Sequence, residues 1–134
     1  MTTLRVDRQD VHGIQVMKIT GTVDSRNDDL LTSAFEALEK AGCTRAIVDL
    51  SAAQHVSSAG WAWLLDRHRL WKRAGREFAI AGMGDAVRST FEFLELGFSL
   101  PSARSVLEAV TLLRATPAQV PARPTGPTLR TAAA

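Results

Sequence analysis

A chain of 134 residues with 46% apolar content is long enough for one buried core and reads as one domain. No apolar run approaches the ~20 residues of a membrane-spanning helix, the first residues lack the apolar region of a signal peptide, and a lone Cys43 excludes a disulfide framework or a thiolate metal cluster. Arg123 and Arg130 account for the net charge of +2 while residues 1–115 are balanced, so a pI near 9.2 is no argument for nucleic-acid binding.

Taken in order, residues 6–11 and 14–19 alternate roughly between polar and apolar, with Gly13 between them, and read as a hairpin of two short strands. Ser25-Arg26-Asn27-Asp28 resembles a helix start, a hydroxyl followed three residues later by an acid. Leu30, Leu31, Ala34, Phe35 and Leu38 then share one helical face, and Gly42 is a stop signal. Residues 46–50 are continuously apolar, as in a strand covered on both faces. A helix over residues 58–73 places Trp61, Leu64, Leu65 and His68 inward. Residues 78–81 form another apolar strand. A helix over 85–96 buries Val87, Phe91 and Leu94. Ser99-Leu100 is a last short strand, and Ser102 caps a final helix burying Val106, Leu107, Val110 and Leu113. Residues 116–134, with four prolines among alanines and threonines, cannot bury a core and read as a disordered tail. The domain is therefore residues 1–115. The order implies an α/β fold with a mixed sheet of about four to five strands and about four to five helices mainly on one side.

Residues 45–65 carry the most information. A strand ends near Asp49-Leu50-Ser51, a short loop follows, and Ser57-Ser58-Ala59-Gly60 opens a helix. A hydroxyl at that place can cap the helix, a contribution of about 0.5–2 kcal/mol. It can equally accept a phosphoryl group, because a helix N-terminus presents unpaired N–H groups and positive dipole character to an anion. Gly60 costs up to ~1 kcal/mol against Ala in a helix. That fits either the close approach of a partner's backbone or tight packing on a neighbouring loop. Trp61 and Trp63 lie two residues apart and point about 200° from each other. If Trp61 is core, Trp63 is either an interface anchor or a cover for a neighbouring element. Thr22 and Asp24 border a turn, and Asp49 ends the central strand near Ser58. Arg67, Arg69, Lys72, Arg73 and Arg76 form either a solvated face that complements the helix dipole or a contact for an acidic partner.

Catalytic patterns fail. No Gly-x-Ser-x-Gly elbow supports a Ser58/His55/Asp49 triad. His12, His55 and His68 lack ligand spacing. Gly82-Met83-Gly84 has Val87 where a dinucleotide fingerprint needs its third glycine. No enzymatic activity, cofactor or metal is expected.

The ordered set resembles the STAS family of sulphate transporters and anti-sigma factor antagonists. Its pattern is a strand ending Asp-Leu-Ser, then Asp-Ser-Ser-Gly-Leu or Ser-Ser-Ala-Gly-Leu, then a helix. This chain has Asp49-Leu50-Ser51, then Ser57-Ser58-Ala59-Gly60 with Trp61 where Leu is usual. Gly21-Thr22-Val23-Asp24 resembles the family's Gly-x-(Leu/Val)-Asp, and the likeness covers residues 3–115. It implies a cytoplasmic, free-standing antagonist that binds an anti-sigma factor of the ATP-binding serine kinase type and releases a sigma factor. Ser58 aligns with the phosphorylated serine, and a serine phosphatase would restore it. The resemblance implies a partner surface formed by Thr22, Asp24, Ser57, Ser58, Ala59, Gly60 and Trp63, and also admits a weak homodimer. No nucleic acid or membrane insertion is implied. The alternative is a scaffold, or an accessory subunit of a signalling assembly or lipid transporter.

Removing residues 116–134 should leave the melting temperature nearly unchanged, because few apolar groups leave the core. A loss of several degrees on thermal denaturation of the shortened chain would show that the tail packs on the domain.

Overall fold

The computed structural model describes residues 4–26 and 28–115; the expected tail lies outside them. The elements are β1 (Arg5–Val11), β2 (Ile14–Val23), α1 (Asp28–Lys40), β3 (Arg45–Val56), α2 (Ser58–Arg73), β4 (Glu77–Ala81), α3 (Asp85–Phe93), a 3-10 turn (Leu96–Phe98), β5 (Ser102–Ala103) and α4 (Val106–Ala115). They form the expected mixed sheet. His12 and Gly13 both take positive φ, the backbone of a two-residue hairpin turn whose twist suits the strands, and β1 pairs antiparallel with β2. The other pairings are parallel, in the order β1-β2-β3-β4-β5. Each crossover steps one strand in the same direction. Right-handed crossovers therefore put α1, α2 and α3 on one face.

Burial follows that layering. Met17, Ile19, Ala46, Val48, Leu50, Phe78 and Ile80 share the large core with side chains of α1, α2 and α3. Alternate residues Ile14, Val16, Ile47, Ala79 and Ala81 face the other way, against Ala109, Val110 and Leu113 of α4. Helices cover both faces of β3 and β4, which is why their apolar runs are unbroken.

Several local expectations are corrected. β3 does not stop at Leu50. It continues through the expected loop to Val56, because β2 itself runs to Val23 and offers partners across an irregular register near Lys18–Thr20 and Gly21–Thr22. The third helix ends at Phe93 because Glu95 takes the left-handed conformation. Leu94 is exposed as a result, and Leu96 is buried instead. The last strand is Ser102–Ala103, paired with Ile80 and Ala81, rather than Ser99-Leu100. Ser105, not Ser102, caps the final helix: its Oγ accepts from Glu108 N at 3.1 Å, and the Glu108 carboxylate accepts from Arg104 N at 3.1 Å. The helix packs on the sheet through Ala109, Val110 and Leu113, so Leu107, expected to be buried, is 62% exposed. Leu30 also faces solvent, on the flank of α1 opposite Leu31, Phe35 and Leu38.

One polar group lies deep beneath α2. Glu77 Oε2 is 2.9 Å from His68 Nε2, and Glu77 Oε1 is 3.1 Å from Lys72 Nζ. Burial raises the Glu77 pKa, but the hydrogen bonds from His68 and Lys72 outweigh it and hold the carboxyl below its ordinary value near 4.5. A depressed folded pKa means that this carboxylate stabilises the fold above about pH 4.5 and loses that effect as pH falls through the folded value. Glu77→Gln should therefore cost about 1–3 kcal/mol near neutral pH, through loss of charged hydrogen bonds. Urea denaturation of the two proteins should show the gap narrowing once the solution is acidified below the ordinary carboxylate pKa. A gap that does not change with pH would remove the carboxylate's charge as the cause.

Candidate functional site

β2 and β3 end side by side, with Val23 opposite Val56. The chain leaves β3 and turns at once into α2. Ser57 N donates to Val23 O at 2.9 Å, and Ser57 is extended, with φ −73° and ψ 168°. That backbone suits an N-cap, and the Ser57 hydroxyl accepts from Gly60 N at 3.0 Å. Ser57 is therefore the cap. Ser58 is the first helical residue and is exposed, and among the described residues no group bonds its hydroxyl. The first turn of α2 holds no acidic residue, so the positive end of the helix is not offset by charge from its own turn. Ala59 beside it is exposed.

Gly60 is buried and lies on the end of β2. A Cβ there would meet Val23 O at 2.7 Å and Val23 Cγ1 at 3.0 Å. The close approach that its glycine allows is thus made within the chain, between the first turn of α2 and the last residue of β2.

Thr22 stands in β2 opposite His55 and is half-buried. Asp24 follows the strand end. Its Oδ1 accepts from Arg26 N at 2.9 Å, and Oδ2 pairs with the Arg26 guanidinium at 3.0 Å. The Arg26 side-chain bond, then its backbone bond, hold the carboxyl below the usual range against slight desolvation, with a small further contribution from His55. Thr22, Asp24, Ser57, Ser58 and Ala59 thus gather at the carboxyl ends of β2 and β3, around a seam joined through Val23.

Three candidates sit elsewhere or act differently. Trp63 is half-buried rather than free: its ring lies 5.3 Å from Phe35 of α1, and the Arg67 guanidinium stacks on it at 5.0 Å. Trp61 points the other way, 5.3 Å from Phe91 of α3, and its indole N–H donates to Thr90 Oγ1 at 3.1 Å. The 200° between the two indoles is absorbed because α2 has a helix on each side. Asp49 lies mid-strand, opposite Ala81, where Oδ1 accepts from Ser51 N at 2.9 Å; β3 runs on from there to Val56, so Asp49 does not adjoin Ser58 along the strand. The basic run is largely engaged within the fold. Arg67 pairs with Glu39 at 3.3 Å, Lys72 with Glu77, and Arg69 with Asp66 at 3.5 Å, while Arg76 donates to Cys43 O. Among the described residues no group of three or more His, Cys, Asp or Glu side chains could hold a metal ion, and no helix is long and apolar enough to cross a membrane. Val23 and Arg26 are the site residues that sequence reasoning missed. Arg26 carries a signal, a cation two residues after a turn aspartate; Val23 carries none, because its role is a backbone carbonyl aimed at another element.

A five-stranded mixed sheet with three helices on one face and a serine-bearing helix start beside two strand ends defines a recognisable class. The family model of the STAS domain matches residues 5–109, and the chain belongs to the STAS domain family. A Paenibacillus polymyxa protein named anti-sigma F factor antagonist is 22% identical over 111 residues, covering 82% of this chain and 95% of the relative. The crystal structure of an anti-sigma factor antagonist from Mycobacterium paratuberculosis superposes with a TM-score of 0.71 at 21% identity, covering 84% of this chain and 95% of that one. The anti-sigma factor antagonist SpoIIAA in its unphosphorylated form gives 0.65 at 17% identity, covering 85% and 98%.

Gly60→Ala should destabilise the fold by about 1–3 kcal/mol, as overpacking against backbone does, and should shift amide resonances of Val23 and Ser57. Equal stability by chemical denaturation, with those resonances unmoved, would show that the α2 start is not seated by this contact.

Proposed function

We propose that this chain is an anti-sigma factor antagonist that binds an anti-sigma factor of the ATP-binding serine kinase type, frees a sigma factor, and is switched off by phosphorylation of Ser58. The observation that carries the reading is the division between adjacent serines: Ser57 is spent on the cap, and Ser58 is exposed with no partner among the described residues. The names of the relatives support the antagonist role. The work needs no catalytic group in this chain. The partner kinase would transfer the γ-phosphoryl group of ATP to Ser58 Oγ, releasing ADP, with the hydroxyl proton taken by the kinase; a serine phosphatase would hydrolyse the ester.

The switch is electrostatic. Phosphorylation adds roughly 1.5–2 negative charges. In the free protein the N–H groups and dipole of α2 help to stabilise them. In a complex formed around a neutral hydroxyl the same charge must be desolvated, which costs more than the helix end returns. Thr22, Asp24 and Ala59 complete the proposed contact surface. Gly60 and Ser57 hold its shape, and Trp63 borders it while packing on α1. The protein works in the cytoplasm in this reading, with no cofactor.

Ser58→Asp should keep the fold and weaken the anti-sigma complex at least tenfold. Ser58→Ala should bind and resist inactivation, and Ser57→Ala should lose about 1 kcal/mol of stability yet still be phosphorylated. Incubation with the cognate kinase and ATP, followed by peptide mass spectrometry and binding measurements, checks all three. Phosphate on Ser57, or binding indifferent to Ser58→Asp, would overturn the switch and favour a scaffold role.

A further inference from the structure

Two aromatic rings stand in solvent at the far end of α3. Phe93, the last residue of that helix, is 85% exposed, and Phe98, the last of the 3-10 turn, is 92% exposed, with Leu94 40% exposed between them. Glu95 takes positive φ, a conformation that costs a residue with a side chain. The turn that follows sends Leu96 into the core and leaves Phe98 outside. It lies back on α3, where a Cβ at Gly97 would be 3.7 Å from Phe91 Cε2. On the α2 side of this stretch, Ser99 shares a cleft with Arg69, Lys72 and Arg73. On the β5 side, Glu92 shares one with Arg88, Arg104 and Glu108.

Most of these charges are matched. Arg69 pairs with Asp66, Lys72 with Glu77 and Arg88 with Asp85, and Arg104 and Glu108 are opposite in sign. Arg73 is left on one flank, Glu92 on the other and Glu95 between the rings; all three are exposed, and among the described residues none is in an ion pair. We infer that this surface is a two-fold contact with a second copy of the chain. A two-fold axis sets one patch against itself. The rings of the two copies then meet at the centre, and Arg73 of each copy faces the acids of the other. An anionic lipid surface fits less well, because Glu92 and Glu95 would be pressed onto its headgroups. Residues 116–134 hold two arginines and no acid, so they could meet the acids but not Arg73. Two exposed phenylalanines offer roughly 400 Å² per copy, about half of the ~800 Å² per partner in a standard interface, so the dimer is weak and forms at high protein concentration. Along α2, Ser58 lies ~22 Å from Arg73 and stays uncovered. The inference does not depend on the Ser58 switch.

The test is sedimentation velocity on the full chain over a wide dilution series, with amide chemical shifts followed over the same concentrations. The sedimentation coefficient should rise with concentration toward that of a dimer. Resonances of Arg73, Phe93 and Phe98 should move with it, and those of Ser57 and Ser58 should not. Phe93→Ser and Phe98→Ser should each weaken association about tenfold, as loss of an interface aromatic does, with no fall in melting temperature because neither ring is in the core. Arg73→Glu and Glu92→Arg should each weaken it too, and the double exchange should restore it, since each copy then carries both reversed charges. A chain that stays monomeric at every concentration, association indifferent to Phe98→Ser, a double exchange that restores nothing, or shifts centred on Ser58 would overturn the assignment. So would a monomer that pellets with phosphatidylserine vesicles and loses that binding in Phe98→Ser, which would give the rings to a membrane.

Discussion

One carbonyl organises the site. Val23 O accepts the Ser57 N–H at 2.9 Å, and it is the atom that any side chain at position 60 would strike. The first contact ties the end of β3 to the end of β2, and the second sets how closely α2 lies on both. With that seat fixed, Ser57 is held extended and its hydroxyl turns back into the helix. The next residue therefore starts the helical path outward, and its hydroxyl is presented to solvent. Asp24, one residue past Val23, is positioned by the same strand end and kept ionised by Arg26. The surface residues are thus consequences of a backbone contact that none of them makes.

The cap and the acceptor have incompatible requirements. A capping hydroxyl must stay hydrogen-bonded to the helix, whereas an acceptor must be free for an incoming phosphoryl group. Serine at position 57 caps as an aspartate there would, because both side chains accept from the N–H groups of the first turn. With serine as the cap and no acid in the first turn, a phosphate at Ser58 would meet the helix dipole with no neighbouring carboxylate in that turn. Dipole stabilisation of a surface charge is about 0.3–1 kcal/mol; burying an uncompensated charge against a partner costs several times more. That greater cost arises only in the complex, which is why a modification mild for the fold is severe for binding.

The helix α2 was legible to its end residues, because hydroxyls at its start, a sustained 3.6-residue pattern and basic residues in its last turn all agree. The hairpin and the covered strands were legible as elements, because their periodicity reports burial directly, but β2 runs four residues past the expected end at Ile19, to Val23. The extension of β3 to Val56 was not, since Ser51, Gln54 and His55 break the apolar run and only pairing with β2 holds them in a strand. The start of α4 was legible in part: Ser105 with Glu108 three residues on is the fuller capping signal, and Ser102 lacks it. Trp63 and Gly60 illustrate the limit. Their spacing told which way each points from the helix axis, but not that α1 and the end of β2 occupy those directions.

The same two central strands carry both ends of the molecule. Between them lies a slab packed on both faces, from Ala46 to Leu50 of β3 and along β4, with scarcely any exposed side chain. Close-packed interiors of this kind resist gradual deformation. A charge placed at Ser58 therefore acts where it is placed, on whatever approaches α2 and the end of β2, rather than by reshaping the sheet.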